Sequence, residues 1–201
     1  MWLYVGYKAL VPDPLQVLLG VEVALLLALR IWAEPRAADR EGIVELEGGW
    51  FAAVMRGFAL AQIVTLLLAV AWPPGLSFAA VELGRLPRIM GGAVGAGGLA
   101  ALLWIHRSLG ANYHSVLHLR DAHELITRGP YRRVRHPMYT ALFVVFVGFG
   151  LLSANLAVAA VCLGGLAVIV ARRLPREEAM LLERFGSAYE AYMRRTGRFL
   201  P

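Results

Sequence analysis

Five long apolar stretches constrain this chain more than any other feature of its sequence. They cover residues 14–33, 50–72, 88–106, 138–152 and 155–171. A helix needs about 20 apolar residues to cross the hydrocarbon core of a bilayer. The chain has 201 residues, of which 17% are charged, whereas soluble domains carry about 25%. We therefore predict an all-α integral membrane protein with about five transmembrane helices. The last two form a helical hairpin turning at Ser153 and Ala154, followed by an amphipathic cytoplasmic helix.

The arginines predict the orientation of these helices. Most of them lie in residues 107–135 and 172–198, and Lys8 is the only lysine in a chain of net charge +6. Positive residues concentrate on the cytoplasmic side of membrane proteins, so both segments are predicted to be cytoplasmic and the N-terminus to be outside. The first residues are too polar and too broken by proline to be predicted as a signal peptide. Arginines that flank apolar helices favour membrane lipids, rather than nucleic acid, as partners.

The polar residues gather on the side that is predicted to be cytoplasmic. They fall in residues 112–139 and 172–201, and the hairpin between them returns the second segment to the start of the fourth apolar stretch. His136 and Arg173 are therefore predicted to be neighbours in space, although they are distant in sequence.

Pro137 predicts the local geometry at the start of the hairpin. Proline is tolerated in the first turn of a helix, and it disfavours the helical conformation at the preceding residue. We therefore expect His136 to be extended at the entrance of a membrane helix. Gly129 and Pro130 predict a turn just upstream, which directs Tyr131 towards the same region.

Arg173 and Glu177 are four residues apart, so they share one face of a helix. The structural interpretation of the two residues is an exposed ion pair, which at this spacing contributes about 0.3–0.5 kcal/mol to the stability of a helix. Pro175 lies between them and predicts the start of a helix rather than its interior, which favours a functional interpretation. The same face is continued by Leu181, Phe185, Ala188 and Tyr192.

Other polar residues have a structural and a functional interpretation. Glu22 and Arg56 lie inside apolar stretches, where ionisable residues are functional candidates by default, but interhelical packing is the favoured interpretation. His114 and His118 have a spacing that suits zinc on a helix, without a further ligand in a motif. We predict no metal site. Cys162 has no partner cysteine, which excludes a disulfide framework.

The second half of the chain carries short motifs in a fixed order. They are His-x-Leu-Ile from His123, Gly-x-Tyr from Gly129, Arg-His-Pro-x-Tyr from Arg135, Arg-x3-Glu-Glu from Arg173 and Phe-Gly-x2-Tyr from Phe185. Together with the hairpin, they resemble the isoprenylcysteine carboxyl methyltransferase family. They are similar, more loosely, to the wider group of membrane methyltransferases that includes phospholipid methyltransferases. The resemblance covers about residues 109–192, and the N-terminal half shows only apolar helices.

The resemblance implies S-adenosylmethionine as the cofactor, bound on the cytoplasmic side. Residues 107–201 would be the catalytic region, and residues 1–106 would supply three N-terminal helices. Arg173 would be the catalytic residue on the substrate side. The cofactor-binding residues would be His123, Glu124, Leu125, Ile126, Tyr131, His136, Pro137, Met138, Tyr139 and Glu177.

The chemistry of these side chains agrees with that assignment. A carboxylate at Glu177 suits the ammonium group of the cofactor, and His136 with Arg135 suits its carboxylate. Methyl transfer from an activated sulfonium chiefly requires alignment and desolvation, so neither a metal nor a covalent nucleophile is needed. Arg173 favours an anionic nucleophile because guanidinium binds carboxylate in a bidentate manner.

We therefore expect O-methylation of a carboxylate on a prenylated or other lipid-like substrate that enters from the bilayer. Methylation of a lipid amine, or of an alkylated phenol or pyrone, remains the alternative. A membrane reductase is a rival class, although the glycine-rich residues 90–102 lie within an apolar stretch and do not follow a strand. A scaffold or transporter is a further rival, but transporters place their polar groups near the bilayer midplane.

Overall fold

The computed structural model describes residues 13–33, 49–109 and 125–201. Its regular elements are α1 (Pro14–Ala33), α2 (Gly49–Ala71), a 3-10 helix (Pro73–Ala79), α3 (Arg85–Leu109), a second 3-10 helix (Gly129–Arg132), α4 (Pro137–Ser153), α5 (Leu156–Phe185) and α6 (Ser187–Arg195).

Four of these helices, α1, α2, α3 and α5, are long and apolar enough to cross a membrane. The fifth apolar helix, α4, has 17 residues. At 1.5 Å per residue it extends about 25 Å, slightly less than the ~30 Å of a bilayer core. The prediction of an all-helical membrane protein is confirmed, and five is an approximate number of spans because α4 is short.

The core of the fold is the contact between α3 and α4, which the glycines of α3 allow to be close. A Cβ atom on Gly91 would lie 2.6 Å from the backbone nitrogen of Leu152, and one on Gly98 would lie 2.9 Å from that of Val145. Both distances are too short for any side chain. The glycine-rich stretch is therefore a packing surface, as the sequence indicated.

Adding a methyl group at this contact is expected to destabilise the protein. Gly98→Ala should lower the free energy of unfolding by about 1–3 kcal/mol, because Val145 and its backbone cannot retreat from the new Cβ. Gly97 is the matched control, since a Cβ there meets nothing within 4 Å. Thermal unfolding of both variants in detergent tests this expectation. Equal midpoints would show that α3 and α4 do not pack as closely as the fold requires.

The hairpin between α4 and α5 turns within two residues, as predicted. Ala154 adopts the left-handed conformation, with φ 51° and ψ 46°. Asn155 then caps α5, where its side-chain oxygen accepts hydrogen bonds from the backbone nitrogens of Ala157 and Val158. Its amide nitrogen also donates to the carbonyl oxygen of Leu76 at 2.8 Å. One asparagine therefore fixes the turn to the 3-10 helix that follows α2.

The end of the hairpin differs from the prediction. The last apolar stretch does not end near Ala171, and Pro175 does not begin a new helix: α5 runs 30 residues, with Pro175 in its interior. The neighbouring Leu174 is only 5% exposed, so packing holds this turn although proline removes a backbone hydrogen bond. The helix ends instead before Gly186, whose φ is 49°. The predicted continuous face from Arg173 to Tyr192 is therefore divided between α5 and α6.

The two charged residues inside apolar stretches do not play equivalent parts. Glu22 is 2% exposed and lies against Gly92 and Gly95 of α3, whereas the side chain of Arg56 is exposed. Polar bridging comes instead from two glutamines that the sequence analysis did not single out. Gln62 donates to the carbonyl oxygen of Cys162 at 2.8 Å, and Gln16 donates to that of Val70 at 3.2 Å.

Candidate functional site

The candidate site begins at the residue that precedes α4. His136 has φ −123° and ψ 58°, so it is outside the helical region, as Pro137 requires, although less extended than expected. Its side chain is 7% exposed. Just upstream, the Gly129–Arg132 turn begins at a glycine with φ 59°, and Gly129 lies close to Ser108 of α3. The predicted turn is thus present, and it holds the loop against the end of α3.

Glu177 stands at the centre of the predicted site. The hydroxyl of Tyr139 donates to its Oε1 at 2.7 Å. The Nδ1 atom of His136 lies 3.8 Å from its Oε2, and the Nε atom of Arg173 lies 3.7 Å from its Oε1. Arg173 and Glu177 are 20% and 21% exposed, so their pairing is not that of a fully exposed surface pair. Four predicted site residues from two helices and the preceding loop are therefore brought together.

Glu178 is a neighbour of the site that the sequence analysis did not assign. Its Oε1 accepts from Nε2 of His136 at 3.2 Å and from Nε of Arg198 at 3.1 Å. Its Oε2 accepts from Nη2 of Arg198 at 2.5 Å. The adjacent Glu-Glu pair was visible in the sequence. Successive residues of a helix point about 100° apart, so the sequence alone could not say which carboxylate faces which neighbour.

Arg135 belongs to this second cluster rather than to the first. Its Nη2 atom lies 3.4 Å from Oε1 of Glu178, and Nη1 donates to the carbonyl oxygen of Met193 at 3.1 Å. Nη1 also donates to the carbonyl oxygen of Thr196. These hydrogen bonds hold Arg135 to the C-terminal segment, and its expected role beside His136 in binding a cofactor carboxylate stays a prediction.

Residues 196–201 form a strap along the start of α4. The backbone nitrogens of Arg135 and His136 donate to the carbonyl oxygens of Gly197 and Arg198 at 2.8 and 3.0 Å. The hydroxyl of Thr140 donates to the carbonyl oxygen of Phe199 at 3.1 Å. From the sequence, this segment was predicted only as the end of an arginine-rich tail. It was missed because backbone pairing of this kind has no signature in the side chains.

Burial favours the neutral form of the His136 imidazole in the folded protein. Burial lowers the pKa of His136 from 6.5 to about 4, and this effect outweighs the nearby carboxylate of Glu178, which raises it. A neutral ring carries one N–H. Since a carboxylate only accepts hydrogen bonds, the contact with Glu178 is a hydrogen bond when the proton lies on Nε2. Nδ1 is then an acceptor on the side of Glu177.

This neutral histidine predicts a loss of stability at low pH. The unfolded chain binds a proton at His136 below about pH 6.5, whereas the folded chain does so only near pH 4. The contribution of His136 is complete above pH 6.5 and is lost as the pH falls towards 4, up to about 3 kcal/mol. This contribution is measured by comparing the free energy of unfolding of wild type and of His136→Asn between pH 4 and pH 8. Parallel pH profiles would contradict the low pKa.

The other predicted site residues lie in or near the same region. Pro137 is buried, and Met138 and Tyr131 pack against the core. Tyr192 of α6 donates to the carbonyl oxygen of Tyr131 at 2.6 Å, which ties the Gly129–Arg132 turn to α6. Leu125 and Ile126 are half-buried in the irregular segment that precedes the turn.

His123 and Glu124 lie outside the described residues, as do His114 and His118. Among the residues that the structure does describe, no group of three or more His, Cys, Asp or Glu side chains is arranged to hold a metal ion.

Comparisons with known proteins identify the family of this chain. The phospholipid methyltransferase family matches residues 86–188, from the start of α3 to α6. The chain belongs to the phospholipid methyltransferase family. The resemblance to membrane methyltransferases that the motifs indicated is thereby confirmed.

Individual proteins agree with this membership. A probable protein-S-isoprenylcysteine O-methyltransferase of Oryza sativa is 37% identical over 86 residues, 42% of this chain and 44% of that protein. The nickel-cobalt-cadmium resistance protein NccN of Alcaligenes xylosoxydans xylosoxydans is 39% identical over 85 residues, 41% of this chain and 38% of that protein. The match thus spans less than half the length of either relative.

The fold is also that of a solved structure. The eukaryotic intramembrane Ras methyltransferase, an isoprenylcysteine carboxyl methyltransferase, superposes with a TM-score of 0.62 at 18% identity. The superposition covers 97% of this chain and 70% of the other. At this identity the likeness concerns the fold, and it confirms the helical membrane architecture over nearly the whole chain.

Proposed function

We propose that this protein is an S-adenosylmethionine-dependent membrane methyltransferase that O-methylates the carboxylate of a prenylated or other lipid-like substrate. The observation that carries the proposal is the position of Glu177. It is held by Tyr139 and flanked by His136 and Arg173 at the mouth of a membrane hairpin. This places an anionic acceptor and a cationic donor side by side at the end of apolar helices.

The residues at this site fit the cofactor. S-adenosylmethionine, when bound, supplies a methyl group on an already activated sulfonium centre. Glu177 offers a carboxylate to its ammonium group, and Tyr139 keeps that carboxylate in place through the 2.7 Å hydrogen bond. Tyr131, Met138 and Tyr139 pack against the buried core, so they provide an apolar wall that keeps water from the reacting groups. His123, Glu124, Leu125, Ile126 and Pro137 complete the proposed set.

Arg173 gives the site its preference for the acceptor. A planar guanidinium binds a carboxylate through two parallel hydrogen bonds, which holds an anionic nucleophile in line with the methyl donor. A carboxylate needs no general base, whereas an ammonium group must lose a proton before it attacks. The relatives named for isoprenylcysteine methylation support the same acceptor. The apolar helices below the site suit a prenyl or alkyl chain that enters from the bilayer.

Methylation of a lipid amine is the second candidate, and the family to which the chain belongs favours it. Under that hypothesis Glu177 would attract the amine, and Arg173 would pair with Glu177 or with a lipid phosphate. The two hypotheses differ in the bond that carries the transferred methyl group.

The test supplies the purified protein with cofactor carrying a radioactive methyl group and one of three acceptors. These are a farnesylated cysteine, phosphatidylethanolamine and a long-chain alkylphenol. A methyl ester is hydrolysed by mild base and releases volatile methanol, whereas N-methyl and aryl ether groups resist. We expect base-labile product from the farnesylated cysteine. Base-stable product from phosphatidylethanolamine alone would replace the proposal with the amine hypothesis.

We further propose that the site faces the cytoplasm, because the arginines of the loop before α4 and of α5 and α6 would then lie on the positive side. A cysteine introduced at the exposed Ser187 in a Cys162→Ala background should react with a membrane-impermeant reagent only after the membrane is opened. Labelling of intact cells or spheroplasts at that position would show the opposite orientation.

A further inference from the structure

The two adjacent glutamates of α5 have different neighbours. Glu177 faces Tyr139 and Arg173, at 2.7 and 3.7 Å. Glu178 instead contacts the far side of His136 and the arginines of the loop and the strap. His136 therefore lies between the two carboxylates, with Nδ1 towards Glu177 and Nε2 towards Glu178.

The surroundings of Glu178 favour its ionised form. Arg198 binds it through both Nε and Nη2, at 3.1 and 2.5 Å, a bidentate pairing that is among the stronger charge-assisted hydrogen bonds. Arg135 lies 3.4 Å away on another side. The Glu178 side chain is 13% exposed and that of His136 is 7% exposed, so water competes little for either group.

An ionised carboxylate that contacts Nε2 determines where the single proton of the imidazole lies. In a neutral histidine, the hydrogen-bond partners of the ring decide which of its two nitrogens carries the proton. Here the N–H points from Nε2 to Glu178, and the Nδ1 lone pair is left beside Glu177. The side facing Tyr139 and Arg173 thus holds two acceptors close together, a carboxylate and a ring nitrogen. A pair of acceptors suits a ligand ammonium group, which carries three donors.

The strap depends on the same carboxylate. Arg198 ties it to Glu178 by its side chain, and its backbone oxygen accepts from the backbone nitrogen of His136 at 3.0 Å. The ring of Phe199 lies 6.4 Å from that of His136, centroid to centroid. Moving the strap therefore exposes the imidazole and removes a backbone constraint on it at the same time.

We propose that Glu178 is a positioning residue of the cofactor site, which fixes His136 as its Nε2–H tautomer and fastens the strap of residues 196–201 beneath it. The inference rests on the proposed function, because it assigns the Nδ1 acceptor to the cofactor's ammonium group. In this role Glu178 acts through His136 rather than by direct contact with the cofactor.

The first test is the nitrogen spectrum of the imidazoles in the full-length protein, purified in detergent without cofactor. The signals of His136 are assigned by their disappearance in His136→Asn. Wild type should show a protonated Nε2 and a bare Nδ1, whereas Glu178→Ala should show a mixture of tautomers. Glu183→Ala, a change at an exposed glutamate of the same helix, is the control and should resemble wild type. A protonated Nδ1 in wild type, or an unchanged tautomer in Glu178→Ala, would overturn the proposal.

The second test uses Arg198→Ala, which leaves Glu178 and His136 in place. It therefore tests the attachment of the strap even if Glu178→Ala does not fold. Hydrogen exchange should accelerate at the backbone amides of Arg135 and His136, because their acceptors lie in the strap. Arg194→Ala, at an exposed arginine of α6, should leave it unchanged. Unaltered protection in Arg198→Ala would refute the fastening role of Glu178.

Binding of adenosylhomocysteine connects the two results to the site. Glu178→Ala should weaken it about tenfold, the equivalent of one hydrogen bond to a charged group, and Glu183→Ala should not. Wild-type protein that fails to bind the ligand would refute the proposed function. The tautomer and exchange measurements would still decide the role of Glu178, because neither requires a ligand. If Glu178→Ala no longer holds His136 as the Nε2–H tautomer but binds adenosylhomocysteine as tightly as wild type, the positioning of His136 does not serve cofactor binding.

Discussion

Glu177→Ala is expected to weaken adenosylhomocysteine binding by at least about 30-fold, because removing one partner of a largely desolvated charge pair costs about 2–5 kcal/mol. Glu177 supplies the carboxylate nearest to Tyr139, His136 and Arg173. The variant would leave the ammonium group of the ligand beside Arg173 without a compensating negative charge. Isothermal titration of the purified variant and of wild type measures the difference.

Two further variants make this result specific. Glu177→Gln keeps an acceptor for Tyr139 and nearly the same volume, so a similar loss of affinity would assign the effect to charge rather than to packing. Glu183→Ala removes an exposed glutamate of the same helix and should bind like wild type. Affinity for Glu177→Ala within about threefold of wild type would remove Glu177 from the cofactor site, since even a neutral hydrogen bond contributes about 0.5–1.5 kcal/mol.

Arg173→Lys is expected to abolish most methyl transfer while it leaves cofactor binding intact. Lysine keeps the positive charge but loses the planar pair of donors that holds a carboxylate. Losing one preorganised donor to a reacting group lowers turnover by about 100- to 1000-fold. Tyr139 still holds Glu177 in the variant, so the affinity for adenosylhomocysteine should change little. Single-turnover methyl transfer and titration of the same preparation separate the two effects.

The opposite pattern would reassign the residue. If a folded Arg173→Lys or Arg173→Ala protein loses adenosylhomocysteine binding, Arg173 stabilises Glu177 or contacts the cofactor. An anionic acceptor would then no longer be favoured, and methylation of a lipid amine would be an equally good hypothesis. The matched control is Arg172→Lys, because Arg172 is the exposed neighbour of Arg173 on α5.

The helices were predictable because their signals are local and strong. Continuous apolar composition located the membrane helices to within a few residues, except for the C-terminal end of α5, and Pro137 fixed the start of α4. Pro175 misled the prediction because a single proline is ambiguous between the first turn of a helix and its interior. Packing around Leu174 decides that question, and packing between distant segments cannot be read from local sequence.

Only those residues of the site that belong to the sequence motifs were predictable. These motifs named His136, Tyr139, Arg173 and Glu177, which the structure brings together. They did not reveal that Glu178 holds His136 from the other side. Nor did they reveal the strap, whose contacts with Arg135 and His136 are made by backbone oxygens. The assignment of residues 107–201 as the catalytic region stays a prediction, as do the roles of His123 and Glu124.

Calorimetric titration of the detergent-purified protein with S-adenosylmethionine and, separately, with NADPH shows which cofactor the protein binds. It distinguishes a methyltransferase from a membrane reductase and from a protein that binds neither ligand. We expect saturable binding of S-adenosylmethionine, at one site per chain and lost in Glu177→Ala, with no heat from NADPH. Folded wild-type protein that binds NADPH, or that gives no heat with S-adenosylmethionine or adenosylhomocysteine, would contradict this expectation.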